Sequence, residues 1–123
     1  VSASKAQLDN VERHLRKFRK EYSHIHEWFV KADSEIRKIE NKQISKNTKE
    51  EIDWIRTTRN DIKKLENNFE TLKNLERTIQ KEVNRPLTNI HERIMELKRQ
   101  IEQLDRRLKD RSEIIEVMTS LFF

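Results

Sequence analysis

The chain has 123 residues, of which 40% are charged and 33% hydrophobic, and its formal net charge is +5. This length fits one domain, and the apolar side chains are too few for a thick globular interior but sufficient for narrow stripes on long helices. Glycine and cysteine are both absent, which disfavours sheets, glycine-rich phosphate loops, disulfides and thiolate zinc sites, so we expect an all-α, intracellular protein.

The first predicted helix spans about residues 4–41 and places an apolar residue at every third or fourth position. This spacing is typical of a helix that packs one face into a bundle. The positions are Leu8, Val11, Leu15, Phe18, Tyr22, Ile25, Phe29, Ala32, Ile36 and Ile39. The polar segment 41–47 then interrupts the pattern and predicts a turn.

The second predicted helix spans about residues 48–83. Thr48 and Glu51 have the T-x-x-E spacing of a capping box, which predicts the start of a helix. The apolar spacing continues through Ile55, Thr58, Ile62, Leu65, Phe69, Leu72, Glu76, Ile79 and Val83. Two of these positions, Thr58 and Glu76, are polar.

The third predicted helix spans about residues 86–122. Pro86 cannot lie in a helix interior without the loss of a hydrogen bond, but it fits a first helical turn. The repeating positions are Leu87, Ile90, Ile94, Leu97, Ile101, Leu104, Leu108, Arg111, Ile115, Met118 and Phe122. Arg111 is the one polar residue among them.

Three helices joined by short connections predict an antiparallel, up-down-up three-helix bundle with left-handed coiled-coil packing. The whole chain, residues 1–123, would form this single unit, with its two ends at opposite ends of the bundle. One long dimeric coiled coil uses the same heptads and is the alternative. The polar breaks at 41–47 and 84–86 favour the folded-back bundle because a continuous rod accommodates them poorly.

Two groups of residues in this pattern resemble the signature of the spectrin repeat. In the first helix, Phe18 precedes Trp28 by ten residues and Phe29 follows directly. In the third helix the matching set is Leu97, Ile101, Leu104, Arg111 and Ile115, with Ile101 at the position where the family often has a second Trp. The resemblance covers nearly the whole chain.

This resemblance to the repeats of spectrin, α-actinin, dystrophin, plakins and nesprins implies a structural and protein-interaction module. Such a module serves as a rod or spacer in a larger cytoskeletal or scaffolding protein. The implied partners are proteins, including actin-associated and membrane-scaffold proteins, and adjacent repeats of the same chain. The implied location is cytoplasmic, cytoskeletal or membrane-associated. The start at Val1 and the apolar end at Phe123 also suggest a module of a longer polypeptide.

The stretch SHIHEWFVKAD, residues 23–33, is the best candidate for a metal or catalytic site. His24 and His26 are two residues apart and therefore lie on different helix faces. Glu21 and His24 form one E-x-x-H pair, but no second such pair completes a di-iron pattern. We therefore predict no metal, cofactor-binding or catalytic residue, no small-molecule substrate, and no enzymatic activity.

Basic residues in the first helix form a candidate interaction surface. They are Arg13, Arg16, Lys17, Arg19 and Lys20. An electrostatic module that binds nucleic acid or anionic membrane is the alternative function that this surface supports. Acidic residues interleave elsewhere and no exposed aromatic platform is predicted, so a solvated charged face is favoured and nucleic acid is the less favoured partner.

The end of the third helix is apolar outside the repeating positions as well. Ile114, Val117, Leu121 and Phe123 extend this character, and something should cover them. A junction with a following repeat is favoured over a surface for another partner.

Two polar residues at core positions predict specific contacts. Matching heights along antiparallel helices places Arg111 near Asp33, and we expect the two to pair because a lone buried charge is costly. The same matching places Glu76 near Phe18 and Lys98. The alternative is that Arg111 extends outward to solvent.

Overall fold

The computed structural model describes residues 4–44 and 48–122. It contains three α-helices: α1 (Lys5–Glu40), α2 (Thr48–Val83) and α3 (Thr88–Phe122). No strand occurs among the residues that the structure describes, and the helices pack against one another. The predicted all-α fold of three packed helices is therefore confirmed.

The first two helices begin close to the predicted residues. Ser4 caps α1, and its hydroxyl accepts a hydrogen bond from the backbone N–H of Gln7 at 3.1 Å. Thr48 is the first residue of α2, so the predicted start of this helix is confirmed. The capping box itself stays a prediction, and the carboxylate of Glu51 lies 3.8 Å from Arg111.

The turn between α2 and α3 explains why α3 begins two residues later than predicted. Asn84 has a φ of 52°, in the left-handed region that asparagine tolerates better than most residues. The N–H of Arg85 donates to the carbonyl of Gln80 at 3.3 Å, which closes the end of α2. The carbonyl of Leu87 accepts from His91, so Pro86 precedes α3 instead of lying in its first turn.

The core consists of two clusters along the bundle. The first contains Phe18, Ile25, Leu65, Phe69, Leu72, Leu75, Ile94, Leu97 and Ile101. The second contains Ala32, Ile36, Ile39, Ile55, Leu104, Leu108 and Ile115. Trp28, Phe29 and Ile62 pack against both clusters. These three side chains therefore join the two halves of the core.

Three positions depart from the predicted core pattern. Leu75 is buried although it lies outside the predicted stripe. In a bundle each helix contacts two others, so a stripe defined for a two-stranded seam is too narrow. Leu8 and Met118 belong to the predicted stripes but are 58% and 36% exposed. Both lie near helix ends, where a neighbouring helix has already ended or has not yet begun.

The three helices are offset along the bundle. His14 lies 2.6 Å from Glu82, His91 lies 3.1 Å from Glu76, and Arg111 lies beside Glu51. Paired residues lie at about the same height along the bundle axis. At 1.5 Å per residue, α3 therefore extends about 12 Å beyond the first residue of α2. At the opposite end, α1 extends about 18 Å beyond the first residue of α3. The bundle therefore has three helices only in its middle part.

None of the three helices, over the described residues, combines the length and apolar character that crossing a membrane requires.

Candidate interaction surfaces

Arg111 is the most buried charged side chain among the described residues. It is 9% exposed and donates from Nη2 to the carbonyl oxygen of Lys42 at 3.1 Å. The same nitrogen lies 3.8 Å from Oε2 of Glu51. The expectation that Arg111 pairs with Asp33 is therefore wrong, as is the alternative that it extends to solvent. Arg111 fixes the loop after α1 and the first turn of α2 against α3.

Asp33 pairs with the arginine one turn earlier on α3. Nη1 of Arg107 donates to Asp33 at 2.7 Å, and Arg107 also donates to Glu40 on α1. Arg37 donates to Asp33 at 2.8 Å from within α1. The predicted position of Asp33 along α3 was correct to within one helical turn. The partner differs because Arg107 lies at the outer edge of α3, whereas Arg111 points inward.

The carboxyl group of Asp33 has a pKa below its usual value. Partial burial alone would raise this pKa, but hydrogen bonds from Arg37 and Arg107 together outweigh that effect. The pKa of Arg107 is raised, chiefly by its hydrogen bond to Glu40. The group therefore stabilises contact between α1 and α3 in its ionised form.

We expect Asp33→Asn to lower stability at neutral pH and to change its dependence on acid. A depressed pKa in the folded state gives stability that is present above the unfolded pKa, about 3.9, and is lost as the pH falls through the folded value. The difference in unfolding free energy between the parent and the variant should therefore be constant above about pH 5 and shrink below about pH 4. Urea titrations at several pH values measure it, and a difference that does not shrink in acid would contradict the assignment.

Other polar pairs join the helices at different heights. Arg59 donates from Nε to Asp105 at 3.0 Å, which links α2 to α3 and raises the pKa of Arg59. Glu76 was expected near Phe18 and Lys98. Its carboxylate accepts a hydrogen bond from Nδ1 of His91 in the tautomer that carries the proton on that nitrogen. A 3.1 Å separation makes His91 its hydrogen-bonding partner. These contacts fix the antiparallel register of α2 and α3.

The stretch 23–33 forms part of the core edge. His24 and His26 are exposed, and the ring of His26 stacks on Tyr22 with centroids 6.1 Å apart. Over residues 4–44 and 48–122, no group of three or more His, Cys, Asp or Glu side chains is arranged to hold a metal ion. Trp28 and Phe29 are half-buried against the core, so the apolar part of this stretch serves packing.

The remaining residues of the spectrin-like signature lie inside the bundle. Phe18, Leu97, Ile101 and Leu104 are all buried. Phe18, Leu97 and Ile101 belong to the first core cluster, and Leu104 belongs to the second.

The predicted basic surface is exposed. Arg13, Arg16, Lys17, Arg19 and Lys20 all point to solvent, while Phe18 between them is buried. These residues lie on α1 at the end of the bundle that carries the turn between α2 and α3.

Sequence reasoning missed a second basic row at this same end. Lys73, Arg77, Lys81 and Arg85 follow one another at intervals of four residues, which places them along one side of the end of α2 and the adjoining turn. Three of them are exposed and Lys73 is half-buried. The four-residue spacing is the signal that would have identified this row.

The end of α3 carries an apolar face that points away from the core. Ile114, Val117 and Leu121 are 50%, 57% and 70% exposed. Asp110 and Glu113 lie on the same face and line a shallow groove with Ile114, Val117 and Met118. Phe123, which was predicted to belong to this surface, lies outside the described residues. We call Ile114, Val117 and Leu121, with Asp110 and Glu113, the α3 stripe.

Comparison with known protein families, curated proteins and solved structures gave no significant match.

Proposed function

We propose that this chain is a structural spacer and protein-interaction module of a larger cytoskeletal or scaffolding protein. The observation that carries the proposal is that α1 begins and α3 ends at opposite ends of a narrow bundle. Each helix contains 35 or 36 residues, which corresponds to about 54 Å at 1.5 Å per residue. An odd number of antiparallel helices thus gives reach along one axis. The resemblance to spectrin repeats in Phe18, Trp28 and the α3 positions supports the same role.

The proposed mechanism is mechanical. A pull on the two ends acts along the helix axes and loads the whole bundle. The resistance comes from two modest core clusters and the ionic contacts at Arg59, Arg107 and Arg111. A bundle of this kind yields at a rate set by its unfolding barrier and lengthens when it does so. No catalytic step is part of this proposal.

The proposed interactions use the exposed charged faces and the two ends of the bundle. Protein partners and adjacent modules of the same polypeptide would contact the basic residues of α1 and the α3 stripe. The basic surface has the charge needed to attract an acidic protein surface. Cytoplasmic location at the cytoskeleton or at a membrane scaffold follows from this role and is proposed with it.

Force spectroscopy on several copies fused in series tests the spacer role. Each copy should unfold in one step and lengthen by roughly 335 to 375 Å, which is the extended length of 123 residues minus the roughly 70 Å between the start of α1 and the end of α3. Leu72→Ala, which creates a cavity in the first cluster, should lower the unfolding force without changing the length gain. Continuous extension without discrete steps would overturn the proposal, because a spacer must hold its length below a threshold load.

A further inference from the structure

At each end of the bundle, one helix extends beyond a neighbouring helix and is left partly uncovered. At one end, residues 115–122 of α3 extend beyond the start of α2, and Met118 is 36% exposed where Ile115, one turn earlier, is completely buried. At the other end, residues 5–16 of α1 extend beyond the start of α3. Exposure along this part of α1 rises from 4% at Phe18 to 58% at Leu8. One end therefore has the end of α3 without α2 beside it, and the other has the start of α1 without α3 beside it.

The two uncovered segments, residues 115–122 of α3 and 5–16 of α1, are of similar length. The extension of α3 is about 12 Å, and the part of α1 without α3 beside it is about 18 Å, of which the turn 84–87 occupies a portion. A helix end that enters this position gains apolar neighbours on α1 and α2. The half-buried Val11, Leu15 and Val83 and the exposed Leu8 are the apolar side chains available there.

The charges of the two contact surfaces are also complementary. Asp110, Glu113 and Glu116 are exposed on the last turns of α3, where Arg111 is held by Glu51 and Lys42. The nearest exposed basic residues of this helix, Arg106 and Lys109, lie before these turns. The other end carries exposed Lys5, Arg13, Lys81 and Arg85 against Asp9 and Glu12. Contact between these ends brings opposite charges together, whereas contact between two α3 ends brings like charges together.

We propose that two copies of this chain associate head to tail, with the α3 stripe of one copy against the uncovered start of α1 and end of α2 of the other. Ile114, Val117 and Leu121 provide the apolar surface on one side, and Leu8 provides its counterpart on the other. The contact is heterologous, so the pair keeps one free end of each kind and further copies can add to it. This inference adds a partner to the proposed spacer role, and force spectroscopy on fused copies tests that role separately.

Sedimentation of the chain at low ionic strength, from about 10 µM to about 1 mM, tests this contact, because a small interface is expected to be weak. The parent should form concentration-dependent oligomers that added salt dissociates. Val117→Lys combined with Leu121→Lys removes two of the three apolar side chains of the α3 stripe and cancels its negative charge. Leu8→Glu removes the apolar counterpart at the other end and lowers the positive charge there. Each variant alone should associate at least about tenfold more weakly than the parent.

An equimolar mixture of the two variants distinguishes the head-to-tail contact from other arrangements. Leu8→Glu keeps an intact α3 stripe, and the Val117→Lys, Leu121→Lys variant keeps an intact α1 start, so the mixture should form a 1:1 dimer and nothing larger. Val30→Glu and Val30→Lys are matched controls at a residue 50% exposed in the middle of α1, and both should associate like the parent. The substituted residues are exposed, and circular dichroism checks that each variant folds.

Two outcomes would overturn the proposal. A parent chain that sediments as a monomer over the whole concentration range at low salt would exclude the contact. A Leu8→Glu variant that associates as strongly as the parent would show that the α3 stripe meets something other than the start of α1.

Discussion

Glu51→Ala is expected to destabilise the bundle by about 3–5 kcal/mol, because it leaves the guanidinium of Arg111 buried without its carboxylate partner. The side chains of Glu51 and Arg111 are 12% and 10% exposed, so water has little access to solvate the guanidinium once the carboxylate is removed. The carbonyl of Lys42 would remain as a hydrogen-bond acceptor, but a carbonyl does not neutralise the charge. Urea unfolding at pH 7 measures the loss, and Glu50→Ala, at the exposed neighbouring position, is the matched control.

Replacement of both partners should have a different result. Glu51→Leu combined with Arg111→Met removes both charges and keeps most of the apolar volume, so the double variant should be close to the parent in stability or more stable. The polar pair would then set the register of the helices without adding net stability, since it holds the start of α2 opposite one turn of α3. If Glu51→Ala alone loses less than about 1 kcal/mol, water must reach the guanidinium and the pair is not buried in effect.

Much of this fold is predictable from the spacing of apolar residues alone. The heptad positions in all three helices specify which faces are buried, and the breaks at 41–47 and 84–86 specify two turns. α2 occupies residues 48–83, as its apolar pattern and the threonine at its start indicate. These features depend on local periodicity, which a sequence displays directly.

The contacts between helices were harder to predict because they depend on the offset of one helix against another. An error of one turn, about 5.4 Å, was enough to assign Asp33 to Arg111 instead of Arg107. The side of the helix decides the rest: Arg107 lies at the edge of α3, whereas Arg111 lies among its core positions. Neither fact follows from heptad spacing, since a seven-residue repeat contains no information on which heptad faces which.

The surfaces were predictable only in part, for a related reason. The basic residues of α1 and the apolar residues of the α3 stripe stand out in the sequence. Their arrangement at opposite, incomplete ends of the bundle depends on the offset of the helices and is visible only in three dimensions. The row that begins at Lys73 was missed because two acidic residues, Glu76 and Glu82, lie between its members in the sequence, although they lie on other sides of the helix.

Trp28→Ala is the second substitution expected to have a large effect, with a loss of about 3 kcal/mol. Truncation of a buried aromatic side chain costs about 3–5 kcal/mol, and the half-buried position of Trp28 places it at the lower limit. Such a loss is a large share of the 5–15 kcal/mol that stabilises a typical domain. Val30→Ala, two residues away at an exposed position, is the control and should stay within about 0.5 kcal/mol of the parent.

The position of Trp28 between the two core clusters gives this variant a second readout. Trp54 packs against the second cluster only and becomes the single tryptophan reporter once Trp28 is removed. Phe29 and Ile62 still contact both clusters, and every helix runs through both, so we expect Trp54 fluorescence and circular dichroism to give coincident transitions. Two separate transitions would show that one indole couples the halves of the core. A variant that unfolds at the same urea concentration as the parent would place Trp28 outside the core altogether.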